Sequence, residues 1–189
     1  MTAARVAGGI ALGLFVALTA VNAMLIATDP DSVRPMRSGD PAPTFSLPVI
    51  GAGGEVGPEE IDLASLRGKI VVIDFWATWC EPCRASMPML EKSHRELADR
   101  GVVFLSVNTE GPRKARAARA MVDQLSPSLL LLSDQSRVAD TYKVDIIPHM
   151  VLIDRRGMVR EVHRGLPRGG VSQLHEELER SLNELLSDR

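Results

Sequence analysis

The stretch "KIVVIDFWATWCEPCRASMP", from Lys69 to Pro88, decides how the rest of the chain is read. Its first half is a β-branched and aromatic run, the pattern of a buried strand. Its second half holds the chain's two cysteines, Cys80 and Cys83, with Pro82 placed to suit the first turn of a helix. A strand therefore runs straight into a helix whose start carries both thiols. Unpaired N–H groups and the dipole at a helix N-terminus favour an anion, and a thiolate is one. A free thiol with a pKa near 8.5 is only about 3% ionised at pH 7; lowering that pKa by roughly 1.5 units makes it near half, at about 2 kcal/mol of differential stabilisation. The i, i+3 spacing puts Cys83 one turn along on the same side, able to attack a mixed disulfide formed by Cys80.

Other uses of the pair fit less well. As a structural staple it closes a very small loop, for about 2 kcal/mol at most. As a zinc site it lacks a second pair of ligands. A peroxidase would need a hydroxyl three residues before a single nucleophile, where this chain has Ala77. A copper site made by Cys80, Cys83 and His149 is kept as the alternative to redox exchange.

Asp74 interrupts the apolar run six residues before Cys80. A carboxylate inside such a strand is costly unless protonated, paired or solvated, so its pKa should be raised. That suits an acid/base passing a proton to and from Cys83. The plainer alternative is a strand-end aspartate reaching solvent.

Outward from this core, strand and helix signals alternate. "TFSLPVI" and the Gly-rich stretch after it read as an opening hairpin. The pattern predicts a helix over 81–100, with Leu90, His94, Leu97 and Ala98 on one face. Then come a strand "VVFLSVN", a helix over 112–125, a strand "SLLLL" and a short helix near 137–142. "HMVLID" turns through "RRG" into an antiparallel "MVREVHR", and a helix over 171–186 closes the chain. The fold class is α/β: a central mixed sheet flanked by helices.

At 189 residues, 45% apolar and 24% charged, the composition is globular. A net charge of -2 gives no reason to expect nucleic acid, and the basic run Gly111 to Arg119 reads as the solvated face of a helix. Residues 6–28 are uncharged, and roughly 20 helical residues cross a bilayer. We read 1–28 as a membrane anchor, 29–39 as a Pro-rich tether and 40–189 as the folded domain. The alternative is a signal peptide cut near "VNA", releasing a secreted protein. A first apolar segment after so short a tail sends the domain behind it across the membrane, where disulfides persist.

"VVIDFWATWCEPCRASMP", with the lead-in "GDPAPTFSLP" and the downstream "YKVDIIPHMVLIDRRGMV", resembles the thioredoxin superfamily, in particular its membrane-anchored TlpA/ResA-like thiol–disulfide oxidoreductases. The resemblance implies a thioredoxin-like fold with an N-terminal hairpin and a helix–strand insertion between Pro112 and Leu132. It implies an exposed nucleophile Cys80, a buried resolving Cys83 and a redox-active Cys80–Cys83 disulfide in place of a bound cofactor or metal. Trp79, Glu81 and Pro82 would flank the substrate, and Pro148 would be the cis-proline facing the disulfide. Ile147 would pair with an extended client segment, and Pro88 would kink the active-site helix. Implied partners are protein clients with disulfides, such as apocytochrome c or copper-site cysteines, and a membrane electron donor of the CcdA/DsbD type. Two positions depart from the pattern: Ser86 stands where many relatives carry Glu, and His149 where many carry Thr. A protonated histidine at 149 could stabilise the thiolate. His94, His163 and His175 read as packing or surface residues.

Overall fold

The computed structural model describes residues 12–22, 24 and 34–188. They fall into two units, Met1–Pro35 and Met36–Arg189. Of the first, residues 12–22 are helical and exposed. No helix among the described residues is long and apolar enough to cross a membrane. Much of the expected anchor, and of the tether up to residue 33, lies outside the described residues.

The second unit is built on seven strands: β1 (Ser46–Ile50), β2 (Val56–Asp62), β3 (Ile70–Trp76), β4 (Val102–Asn108), β5 (Leu130–Ser133), β6 (His149–Ile153) and β7 (Val159–Arg164). Their order across the sheet is β2-β1-β5-β4-β3-β6-β7. β3 lies parallel to β4 and antiparallel to β6, so the sheet is mixed as expected. All seven residues of β3 are buried, which is what its unbroken apolar run requires of a strand covered on both faces.

The opening hairpin is β1 and β2, paired antiparallel. Its turn holds Gly54 at φ +78°, where a Cβ would sit 2.6 Å from the Cα of Arg116, so glycine is needed for both reasons. The insertion is helix α2 (Ala115–Leu125), after α1 (Glu81–Leu97), together with β5, which slots between β1 and β4. The basic run opens α2 as a solvated face: Arg113, Lys114 and Arg116 are exposed, and Arg119 pairs with Asp123 at 2.6 Å. Two further helices follow, α3 (Val138–Thr141) and α4 (Gly170–Ser187).

Pairing fixes which side chains share a face. Ile70 and Val72 of β3 join Met150 and Leu152 of β6 in a cluster closed by Leu90 of α1 and by Leu174, Leu178 and Leu182 of α4. Each buried leucine there contributes about 2 kcal/mol. Val71, Ile73 and Phe75 point the other way, toward Phe45, Val138 and Tyr142. Tyr142 is locked there by its hydroxyl, which donates to the Pro43 carbonyl at 2.8 Å. One expectation for α1 is corrected. Its buried face runs through Cys83, Ser86, Leu90, Ser93 and Leu97, and Ala98 is exposed because the helix tightens to a short 3-10 turn after Leu97.

Candidate active site

The site forms where β3 hands over to α1. Cys80 is the N-cap of α1 in an extended conformation, and its Sγ accepts a hydrogen bond from the Cys83 N–H at 3.2 Å. Glu81 and Pro82 occupy the first two helical positions, both exposed. The cysteines are joined as a disulfide with Cα atoms 5.3 Å apart. Sγ of Cys80 thus lies at the positive end of a 17-residue helix, the placement that stabilises a thiolate once the bond opens.

The exposed nucleophile that the resemblance implied is nearly covered in this disulfide form. Cys80 is 3% exposed against 0% for Cys83, because it packs with Trp76, Ala77 and Met87 in a cluster that Ile147 joins. Trp79 beside it is 70% exposed. Trp79 and Ile147 line one cavity of about 550 Å³, together with Val144, Ile146, Asp134 and Asp145. The Ile147–Pro148 peptide bond is cis, Pro148 is buried, and its carbonyl accepts from the Gly165 N–H at 2.8 Å.

Asp74 is 2% exposed, and neither carboxyl oxygen has a hydrogen-bond partner among the described residues. Burial pushes its pKa up to about 7. It does not reach solvent, which removes the plainer reading of this residue. Alternation along β3 puts it on the same face as Trp76, the face that carries the cysteine cluster. Ser106 stands opposite it on β4.

His149 is placed differently from the expectation. It pairs with Phe75, so its ring lies on the opposite face of the sheet from Asp74, 6.1 Å from the Phe75 ring. Burial lowers its pKa to about 4, against the opposing pull of Asp145. It is therefore neutral at pH 7, which removes the role of a charged thiolate partner, and its place on the face opposite the Cys80–Cys83 cluster sets it apart from the thiols as a third copper ligand. Among the described residues no group of three or more His, Cys, Asp or Glu side chains could hold a metal. Ser86 is fully buried, and its hydroxyl donates to the Cys83 carbonyl at 2.9 Å. A glutamate there would face the interior.

One residue escaped the sequence reading. Glu110, just beyond β4, accepts from the Thr78 N–H at 2.6 Å and from the Thr78 hydroxyl at 3.1 Å. The signal was available in principle: β3 and β4 are equally long parallel strands, so the turn after Trp76 lies beside the turn after Asn108.

This is the architecture of a thioredoxin-like thiol–disulfide oxidoreductase, with a two-cysteine helix start at the end of a central strand and a cis-proline in the same domain. The model of the AhpC/TSA family matches residues 38–162, and the chain belongs to that family. It is 32% identical over 130 residues to the thioredoxin-like protein YneN of Bacillus subtilis, covering 69% of this chain and 73% of that one. It is 30% identical over 153 residues to the thiol-disulfide oxidoreductase ResA of Oceanobacillus iheyensis, covering 80% and 78%. A solved structure described as a putative thiol:disulfide interchange protein DsbE from Chlorobium tepidum superposes with a TM-score of 0.69 at 28% identity, covering 80% of this chain and 99% of the other.

Proposed function

We propose that this protein reduces disulfides in protein clients outside the cytoplasm, with Cys80 as nucleophile and Cys83 as resolving thiol. The observation that carries the reading is the Cys80 Sγ at the N-cap of α1, accepting the Cys83 N–H, with a buried and unpartnered Asp74 on the strand that leads into that helix. In the reduced form the Cys80 thiolate attacks one client sulfur, and the client's S–S bond breaks, expelling a thiolate. Cys83 then loses its proton to the Asp74 carboxylate and attacks Cys80 Sγ. The mixed disulfide breaks, the second client thiolate leaves, and it takes up the proton. Two electrons have passed to the client, and Cys80–Cys83 is again a disulfide.

A carboxylic acid with a pKa about 7 suits this relay, because it takes or gives a proton near neutral pH at little cost. The exposed Trp79 and the groove to Ile147 supply a surface for an extended client segment. The pair would be recharged by a membrane dithiol donor, of the CcdA/DsbD type that the resemblance implies. The uncharged stretch 6–28 would hold the domain at the membrane. Apocytochrome c and the cysteines of copper sites are the client classes that fit this setting.

The test is turnover by the full chain of a disulfide-bonded protein, with a small dithiol as electron source. Catalysis lost in Cys80→Ser supports the reading. Tight Cu(I) binding by both thiols without any turnover would replace it with the copper alternative.

A further inference from the structure

The turn that presents Cys80 is gripped from outside itself. Within the turn, the Cys80 N–H donates to the Ala77 carbonyl at 3.0 Å. The rest of the grip comes from the end of β4. The Thr109 N–H and hydroxyl both donate to the Trp76 carbonyl, at 3.0 and 3.2 Å. The Glu110 carboxylate takes both donors of Thr78 and also the Asn108 side-chain amide at 3.3 Å. The fully buried Asn108 returns the contact, its Oδ1 accepting the Glu110 N–H at 3.1 Å. Thr78 is two residues from Cys80, so one carboxylate both anchors the turn and brings a negative charge to it.

We propose that Glu110 is a positioning residue of the exchange reaction, fixing the turn that presents Cys80 and holding the dithiol on its reducing side through its charge. The inference rests on Cys80 and Cys83 being the exchanging pair. A thiolate at Cys80 is stabilised by the helix start and destabilised by a nearby carboxylate. A dithiol whose thiolate is less stable is the stronger reductant. Ser86, on the next turn of α1, carries no charge, whereas the Glu110 carboxylate is bonded directly to the backbone of the turn at Thr78.

Other ionisable groups lie within a few residues of the turn or of Glu110 in the sequence, or line the cavity beside Trp79, and must be held constant. The first set is Asp74 from β3, Glu81 and Arg84 from α1, and Arg113 and Lys114 from the turn before α2. Asp134 and Arg137 lie between β5 and α3, Asp140 is in α3 paired with Arg137, and Asp145, paired with Arg164, precedes β6. Among the described residues Glu110 is the ionisable side chain that bonds the backbone N–H of Thr78.

The test uses the full chain with Cys80 alkylation followed against pH in the reduced protein. Glu110→Gln keeps an acceptor for Thr78 and removes the charge. Its alkylation midpoint should fall by about half a pH unit at low salt, and by less at 1 M salt, where the Debye length is about 3 Å. At alkaline pH the equilibrium with glutathione, disulfide plus two thiols giving dithiol plus glutathione disulfide, should move up to about threefold toward the dithiol, or roughly 14 mV. Thr78→Val, which loses the hydroxyl donor but keeps the carboxylate, should leave the midpoint in place. Glu110→Ala should slow exchange further than Glu110→Gln does, because the N–H anchor goes too.

Glu110→Gln superimposing on wild type at both salt concentrations overturns the electrostatic role. Thr78→Val shifting the midpoint as far as Glu110→Gln also overturns it, since geometry would then explain the shift. Equal exchange rates in Glu110→Ala and Glu110→Gln overturn the positioning role. A wild-type chain that never equilibrates with glutathione would instead remove the exchange reading itself.

Discussion

Asp74 and His149 stand back to back on adjacent strands, both buried, one on each face of the sheet. Burial pushes both toward their neutral forms: the Asp74 pKa up from 3.8 to about 7, and the His149 pKa down from 6.5 to about 4. For Asp74 the folded pKa is raised, so its contribution to stability is full below about pH 4 and is lost as pH rises through 7. For His149 the folded pKa is depressed, so the unfolded chain takes the proton first and stability is lost as pH falls from 6.5 to 4. Between pH 4 and 6.5 the two slopes oppose each other. Removing Asp74 should expose the other slope.

Asp74→Asn should therefore stabilise the oxidised protein at pH 8, by on the order of 4 kcal/mol at most, and make it lose stability from pH 6.5 to 4 more steeply than wild type. Urea unfolding at pH 4.5, 6 and 8 checks this. Wild-type and variant midpoints that run parallel across that range would contradict the buried, protonatable Asp74. The same substitution should slow resolution of the mixed disulfide by about a hundredfold, as expected on losing a positioned general base.

Trp79 is exposed while its neighbours in sequence pack inward, so its side chain does little for the fold. Trp79→Ala should change stability by less than about 0.5 kcal/mol. It should raise KM for a protein client by about tenfold, roughly the loss of 1.4 kcal/mol of contact. The rate with a small, soluble disulfide should stay unchanged, and that split separates docking from chemistry.

Tyr142 ties the segment before β1 to the core: its hydroxyl bonds the Pro43 carbonyl, and its ring meets Phe45 at 6.0 Å and Phe75 at 5.4 Å. Tyr142→Phe should cost about 1 kcal/mol and leave exchange intact. Tyr142→Ala should cost about 3–5 kcal/mol, measured by denaturant midpoint.

Much of this architecture was legible in the sequence because period and punctuation agreed. The apolar run 70–76 had to be a central strand, and the buried carboxylate within it stood out by its cost. The thiols at a helix start followed from strand, cysteine and proline in succession. Faces were harder to read. β6 is apolar on both sides, so alternation alone did not say which side His149 takes; its pairing with Phe75 did. Ala98 was misplaced because the period of α1 was extended past the point where the helix tightens. Glu110 was invisible locally, since its bonds to Thr78 span 32 residues and exist only once β3 and β4 are in register.

The measurement that bears most directly on the mechanism is a trapping experiment in the full chain. Cys83→Ser, mixed with a disulfide-bonded client after reduction, should accumulate a covalent Cys80–client adduct that a dithiol releases, whereas Cys80→Ser should form none. Adducts formed equally by both variants, or by neither, would contradict the assignment of Cys80 as the attacking thiol and Cys83 as the one that resolves it.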